Sequence, residues 1–223
     1  MKINFDEIRD ELKSILSGKT VDTLIPPLLF VIIQALFGLN VAVIAALGLA
    51  LILGLLRVIR KQPWHYALAG LLGVSLAAGL AYFTQNAASY FIPGIVSSGL
   101  FVLAAVISNL IGKPMAALVS HLARSWPLAW FWRQDVKPAY REVTWVWALL
   151  FSLRLGIQLY LYRQSTAATL AWANTLLGWP VTVFVLVISY IYGIWRLRQM
   201  GGPGVDEFTA QKEPPWEGQT KGF

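Results

Sequence analysis

Residues 41–61 read VAVIAALGLALILGLLRVIRK, an apolar run that closes on Arg57, Arg60 and Lys61. A span from about Val41 to Val58 has the length that crosses a bilayer core of about 30 Å. At that depth backbone amides and carbonyls must be satisfied within the segment, so the run is a transmembrane helix.

Blocks of the same kind recur on both sides. A first span covers about Val21 to Phe37, with Pro26 and Pro27 tolerated near its start, where amide donors are largely unpaired. Gly38, Leu39 and Asn40 read as a tight turn. A third span runs from about Trp64 to Phe83 and a fourth from about Ile92 to Ile111, stopped by Gly112, Lys113 and Pro114. A fifth covers about Val143 to Tyr162. Leu170 to Trp195 is too long for one untilted span and Pro180 interrupts it, so a short outer helix before a sixth span from about Trp179 to Trp195 is expected, with a single kinked helix as the alternative.

The expected fold is therefore all-α, a polytopic helical bundle of about six spans with amphipathic interfacial helices. Its divisions are an N-terminal amphipathic helix at 1–20, a six-span domain at 21–198 and a tail at 199–223. The Pro- and Gly-rich tail is expected to bury no core and to be mobile.

The composition agrees with a lipid solvent. Of 223 residues, 57% are hydrophobic and 13% charged, against about a quarter charged in soluble domains, and the mean hydropathy is +0.61. The net charge of +7 is explained by where the bases fall. Of eighteen Lys and Arg, sixteen lie in the N-terminal segment, the second and fourth connections and the C-terminal segment. Arg163 alone lies in the outward connections, and Arg154 lies inside the fifth span. That asymmetry predicts a membrane protein with both termini cytoplasmic, and no nucleic-acid partner.

Two segments read as amphipathic helices. In the first, Phe5, Ile8, Leu12, Ile15 and Leu16 form one stripe, to lie on the membrane or dock a partner. In the second, Met115, Leu118, Val119, Leu122 and Trp126 form another. The following Trp130, Phe131 and Trp132 have the composition of a headgroup-level aromatic belt. Small residues recur every fourth position at Ala46, Ala50 and Gly54, at Ala69, Gly73, Ala77 and Ala81, and at Ala104, Ser108 and Gly112. These ladders let helices approach closely within the chain, or across a homodimer.

Arg154 is the residue that asks for an explanation. A guanidinium at the centre of a span costs about 2.5–3.5 kcal/mol on insertion scales, and every acid lies outside or at the ends of the spans, Asp22 and Glu142 being nearest. Gln158 and Tyr162 follow at i+4 and i+8, and Gln34, Ser97 and Ser98 are expected at similar depth. This candidate intramembrane polar site is either a structural network or a site for an anionic solute or lipid headgroup.

Other chemistry is hard to place. Zero cysteines exclude disulfides and thiolate sites, and His65 and His121 have no metal-site neighbours. Without HExxH, a phosphate-binding glycine loop, a nucleophile elbow or paired carboxylates, no catalytic residue, metal or cofactor is assigned.

The stretches LLFVIIQALFGL (Leu28 to Leu39), AVIAALGLAL (Ala42 to Leu51), ALAGLLGVSLAA (Ala67 to Ala78), FIPGI (Phe91 to Ile95), LRLGIQLYLY (Leu153 to Tyr162) and GWP (Gly178 to Pro180) together resemble a bacterial membrane family, domain of unknown function 3159. The resemblance implies a multi-spanning membrane protein and no assigned reaction. In Lys113-Pro114 and Trp145 to Phe151 the layout is also similar to the intracellular septation protein A family, inner-membrane proteins linked to cell division and envelope synthesis. Together these readings lead to a non-enzymatic envelope or cell-division scaffold in the lipid bilayer that binds a membrane-protein partner. The alternative is a small anion or solute transporter using Arg154.

Overall fold

A computed structural model describes residues 21–61, 64–164, 167–220 and 222–223. The amphipathic helix expected at 1–20 lies outside the described residues.

All described elements are helical. They are α1 (Val21–Phe37), α2 (Leu39–Ile59), α3 (Trp64–Thr84), a 3₁₀ turn (Ala87–Phe91), α4 (Ile92–Leu110), α5 (Met115–Arg124), α6 (Leu128–Phe131), α7 (Lys137–Gln164), α8 (Ala167–Leu177), α9 (Trp179–Met200) and α10 (Val205–Thr209). Among the described residues five stretches are long and apolar enough to cross a membrane: Leu39–Ile59, Ala67–Thr84, Ala87–Leu110, Lys137–Gln164 and Ala167–Met200. The first expected span, α1, is shorter at 17 residues, about 25 Å of helix.

Boundaries shift where local chemistry permits. The turn expected over Gly38 to Asn40 contracts to Gly38, whose φ of 83° is open to glycine, and α2 resumes at Leu39. The long apolar stretch Ala167–Met200 breaks at Gly178 into α8 and α9. A Cβ on Gly178 would stand 2.4 Å from the Asn174 carbonyl oxygen, so no larger residue fits this break.

The chain forms two compact units, each assembled from separated segments. One unit contains residues 21–97 and Leu155–Pro180. In it α1, α2 and α3 pack in sequence, and α8 and the 3₁₀ turn pack against one another. Its core is Phe30, Ala42, Ala46, Ala78, Ala81, Tyr90 and Leu170 with their neighbours. Phe30 stacks on Tyr90 at 4.1 Å between ring centres. Lipid tails are as apolar as leucine, so close packing of small side chains holds such helices together. Ala46, Ala50, Ala77 and Ala81 are buried as the ladders predict, but Ala69 and Gly73 are exposed.

The other unit contains Ser98–Arg154 and Val181–Phe223. On α4 the ladder shifts by one residue, Ala105 being buried and Ala104 exposed. Antiparallel contacts tie α7 to α9. Glu142 accepts a bidentate pair from Arg196, both bonds 2.9 Å, and a bond from the Tyr192 hydroxyl at 2.7 Å. Deeper in the unit, the Trp147 indole donates to Ser189 Oγ at 2.7 Å.

The sequence expectation for the tail is corrected in this unit. Val205 and Gln219 are buried, the Trp130 indole donates to the Pro203 carbonyl at 2.9 Å, and Phe223 stacks on Tyr140 at 4.2 Å. The tail has too few apolar residues for a core of its own, yet it covers one supplied by Trp130, Phe131 and Tyr140. The aromatic cluster is corrected with it: Trp130 and Phe131 are fully buried, the centre of a packed block and not a headgroup belt.

Candidate functional site

α7 carries the predicted polar residues through both units, its residues to Arg154 belonging to one and those from Leu155 to the other. The helix keeps the 3.6-residue period throughout, so Arg154, Gln158 and Tyr162 follow along one stripe.

Arg154 is half-buried, and its Nε is enclosed without a hydrogen-bond partner. Among the described residues it has no ion pair. Segment Ser98–Arg154 contains two acids, Asp135 and Glu142, and both are occupied. Asp135 holds Arg133 through bonds of 2.9 and 2.7 Å, and Glu142 holds Arg196 and Tyr192. Glu142 is also twelve residues from Arg154, about 18 Å along the helix. The guanidinium thus keeps a desolvated N–H without the acceptor that would offset its burial.

Gln158 is almost completely buried, at 1% exposure. Its amide donates to Asn174 Oδ1 on α8 at 2.5 Å, while its own Oε1 is enclosed without a donor. One turn on, the Tyr162 hydroxyl lies 3.4 Å from Ser89 Oγ. Asn86 shapes that neighbourhood by accepting from Ala88 N at 2.9 Å, which caps the 3₁₀ turn.

The structure does not bring all six predicted residues together. Ser97 is exposed, and its hydroxyl bonds back to the Pro93 carbonyl at 2.8 Å on its own helix. Ser98 is buried. Gln34 is half-buried near the end of α1, where its carbonyl accepts from Gly38 N at 3.1 Å. Asn174 and Ser89 were missed by sequence reasoning. An Asn inside the apolar run LAWANTLL was the available signal, because an amide in such a run needs a partner.

A family model matches residues 17–198, most of the chain. The chain belongs to the family described as protein of unknown function DUF3159. The DUF3159 match covers the spans, Arg154, Gln158 and Asn174, and stops before the packed tail. No curated protein and no solved structure matches, so the likeness to septation proteins gains no support.

Proposed function

We propose that this DUF3159 member is a bacterial plasma-membrane protein, with cytoplasmic termini, that binds and carries a small anionic solute through Arg154. The observation that carries the reading is the enclosed guanidinium N–H without a partner. A span pays for such a charge only where something compensates it, and the two carboxylates of segment Ser98–Arg154 are committed to other bases. An anion with planar oxygens would suit the guanidinium fork.

The test is thermal denaturation of the purified chain against a panel of carboxylates, phosphates and inorganic anions. At least one anion should raise the melting temperature. Arg154→Lys should weaken that shift and Arg154→Gln should abolish it while the protein still folds. A flat response across the panel would refute the reading.

A non-enzymatic assembly scaffold is the second reading. It is supported by the packed block around Trp130, whose tail offers a folded surface to a partner.

A further inference from the structure

The corner where α4 turns into α5 has features that the Arg154 reading does not use. Asn109 Nδ2 donates to the Arg141 carbonyl at 3.0 Å, and Ala116 N donates to Thr144 Oγ1 at 3.1 Å. These bonds stitch residues 109–116 along residues 137–144. Lys137 reaches across the turn, so that a Cβ on Gly112 would stand 3.1 Å from its Nζ. Lys113 is the next residue. Three cations, Lys113, Lys137 and Arg141, thus occupy one corner. With Asp135 and Glu142 committed to Arg133 and Arg196, no carboxylate among the described residues pairs with any of the three.

The same corner is apolar on its outer side. α5 docks through Ala116, Ala117 and Ser120, which are buried, and turns Val119 and Leu122 outward. Leu122 is 81% exposed, and Leu110 and Ile111 at the end of α4 are 69% and 66% exposed. The apolar stripe read on α5 is divided: Met115 and Trp126 pack against the core of the unit, while Val119 and Leu122 face outward. Since Leu110 and Ile111 terminate a membrane span, this apolar surface continues the lipid-facing surface into the headgroup layer.

One occupant satisfies both halves. A zwitterionic lipid would cover the apolar face and leave the cations uncompensated, and a free anion would do the reverse. We infer that this corner binds an anionic phospholipid, its phosphate held by Lys113, Lys137 and Arg141 and its acyl chains lying along Ile111, Val119 and Leu122. The site is separate from Arg154 and does not depend on the proposed transport.

The experiment measures lipid binding to the purified full chain by native mass spectrometry and thermal shift. Its probes are phosphatidylglycerol, phosphatidylcholine and inorganic phosphate. Phosphatidylglycerol should bind and stabilise, phosphatidylcholine should bind at least about tenfold more weakly, and phosphate alone should give no shift. Each basic residue near an anionic surface is worth about fivefold in affinity, so Lys113→Gln, Lys137→Gln and Arg141→Gln combined should cost about a hundredfold. If the triple variant does not fold, single Lys137→Gln and Arg141→Gln variants should each show the fivefold step. Leu122→Ser should weaken phosphatidylglycerol while leaving its advantage over phosphatidylcholine. Arg154→Gln should bind phosphatidylglycerol as the unaltered chain does, which separates this site from the transport reading. Equal affinity for the two lipids, displacement of phosphatidylglycerol by phosphate alone, or binding by the charge variants within twofold of the unaltered chain would overturn the inference.

Discussion

Replacing Trp130 by Phe tests the packed tail most directly. The indole is fully buried against Trp126, Phe131 and Tyr140, at ring-centre distances of 5.6, 5.0 and 6.1 Å. Its N–H is the donor to the Pro203 carbonyl. Phenylalanine keeps one ring and loses that donor, leaving a buried carbonyl unpaired at a cost of about 1–3 kcal/mol. The lost ring atoms add roughly 1 kcal/mol of packing. A total of about 2–4 kcal/mol should make tail opening roughly 30- to 700-fold more frequent, since 1.4 kcal/mol is a factor of ten. Hydrogen exchange in nanodiscs reads this at Phe208 N and Ala210 N, which donate to Gly204 and Asp206 carbonyls at 2.9 Å. The amides of α2, in the other unit, should be unchanged. An increase below threefold at Phe208 and Ala210, or an equal increase in α2, would refute the argument that Trp130 anchors the tail.

Three further outcomes are expected. The Glu207 carboxylate accepts from Gly204, Glu217 and Gly218 amides at 2.8, 2.8 and 3.1 Å, and these bonds, Gly204 first, hold its pKa below the usual carboxylate range. Because the folded value is depressed, its stabilisation is complete above the ordinary glutamate pKa of about 4.3 and is lost as pH falls through the lower folded value. Tail exchange should accelerate on that acidification, and Glu207→Gln should remove the step. Gln158→Leu and Asn174→Leu should each destabilise the protein in detergent by about 0.6–2 kcal/mol, with the double variant costing less than the sum because the orphaned partner is removed; strict additivity in a denaturation cycle would count against the pair. Single cysteines at Asn86 and Gln134 should label from outside intact cells and only after permeabilisation, respectively, and the reverse pattern would invert the proposed orientation.

What could be read in advance follows the range of the interactions involved. Spans depend on consecutive residues, so runs such as residues 41–58 announce themselves, and α2 departs from its expected bounds by only two residues at one end and one at the other. Arg154 was legible for a similar reason, since the ordering of acids along the chain already leaves it without a neighbour. Partners across the fold were not legible. Gln158 meets Asn174 only because α7 ends at Gln164 and a separate helix, α8, begins at Ala167, and Tyr162 meets Ser89 across 73 residues. The tail misled because composition counts what a segment contains. Val205, Phe208 and Phe223 are few, yet they cover aromatic side chains from another part of the chain. Those aromatic residues in turn look like a belt until the segment that covers them is seen.

The interleaving of the two units dictates an order of events during synthesis. Trp147 emerges 42 residues before Ser189 and Glu142 emerges 54 residues before Arg196, with Leu155–Pro180 of the other unit made in between. At about 5–20 residues per second, those side chains wait roughly 2 to 11 s for their partners. During that interval the Trp147 indole N–H and the Glu142 carboxylate lack the partners that they hold in the folded chain. The arrival of α9 supplies the partners of Glu142 and Trp147. A ribosome stalled before residue 181 would therefore leave α1, α2 and α3 able to pack while Glu142 and Trp147 still lack their partners.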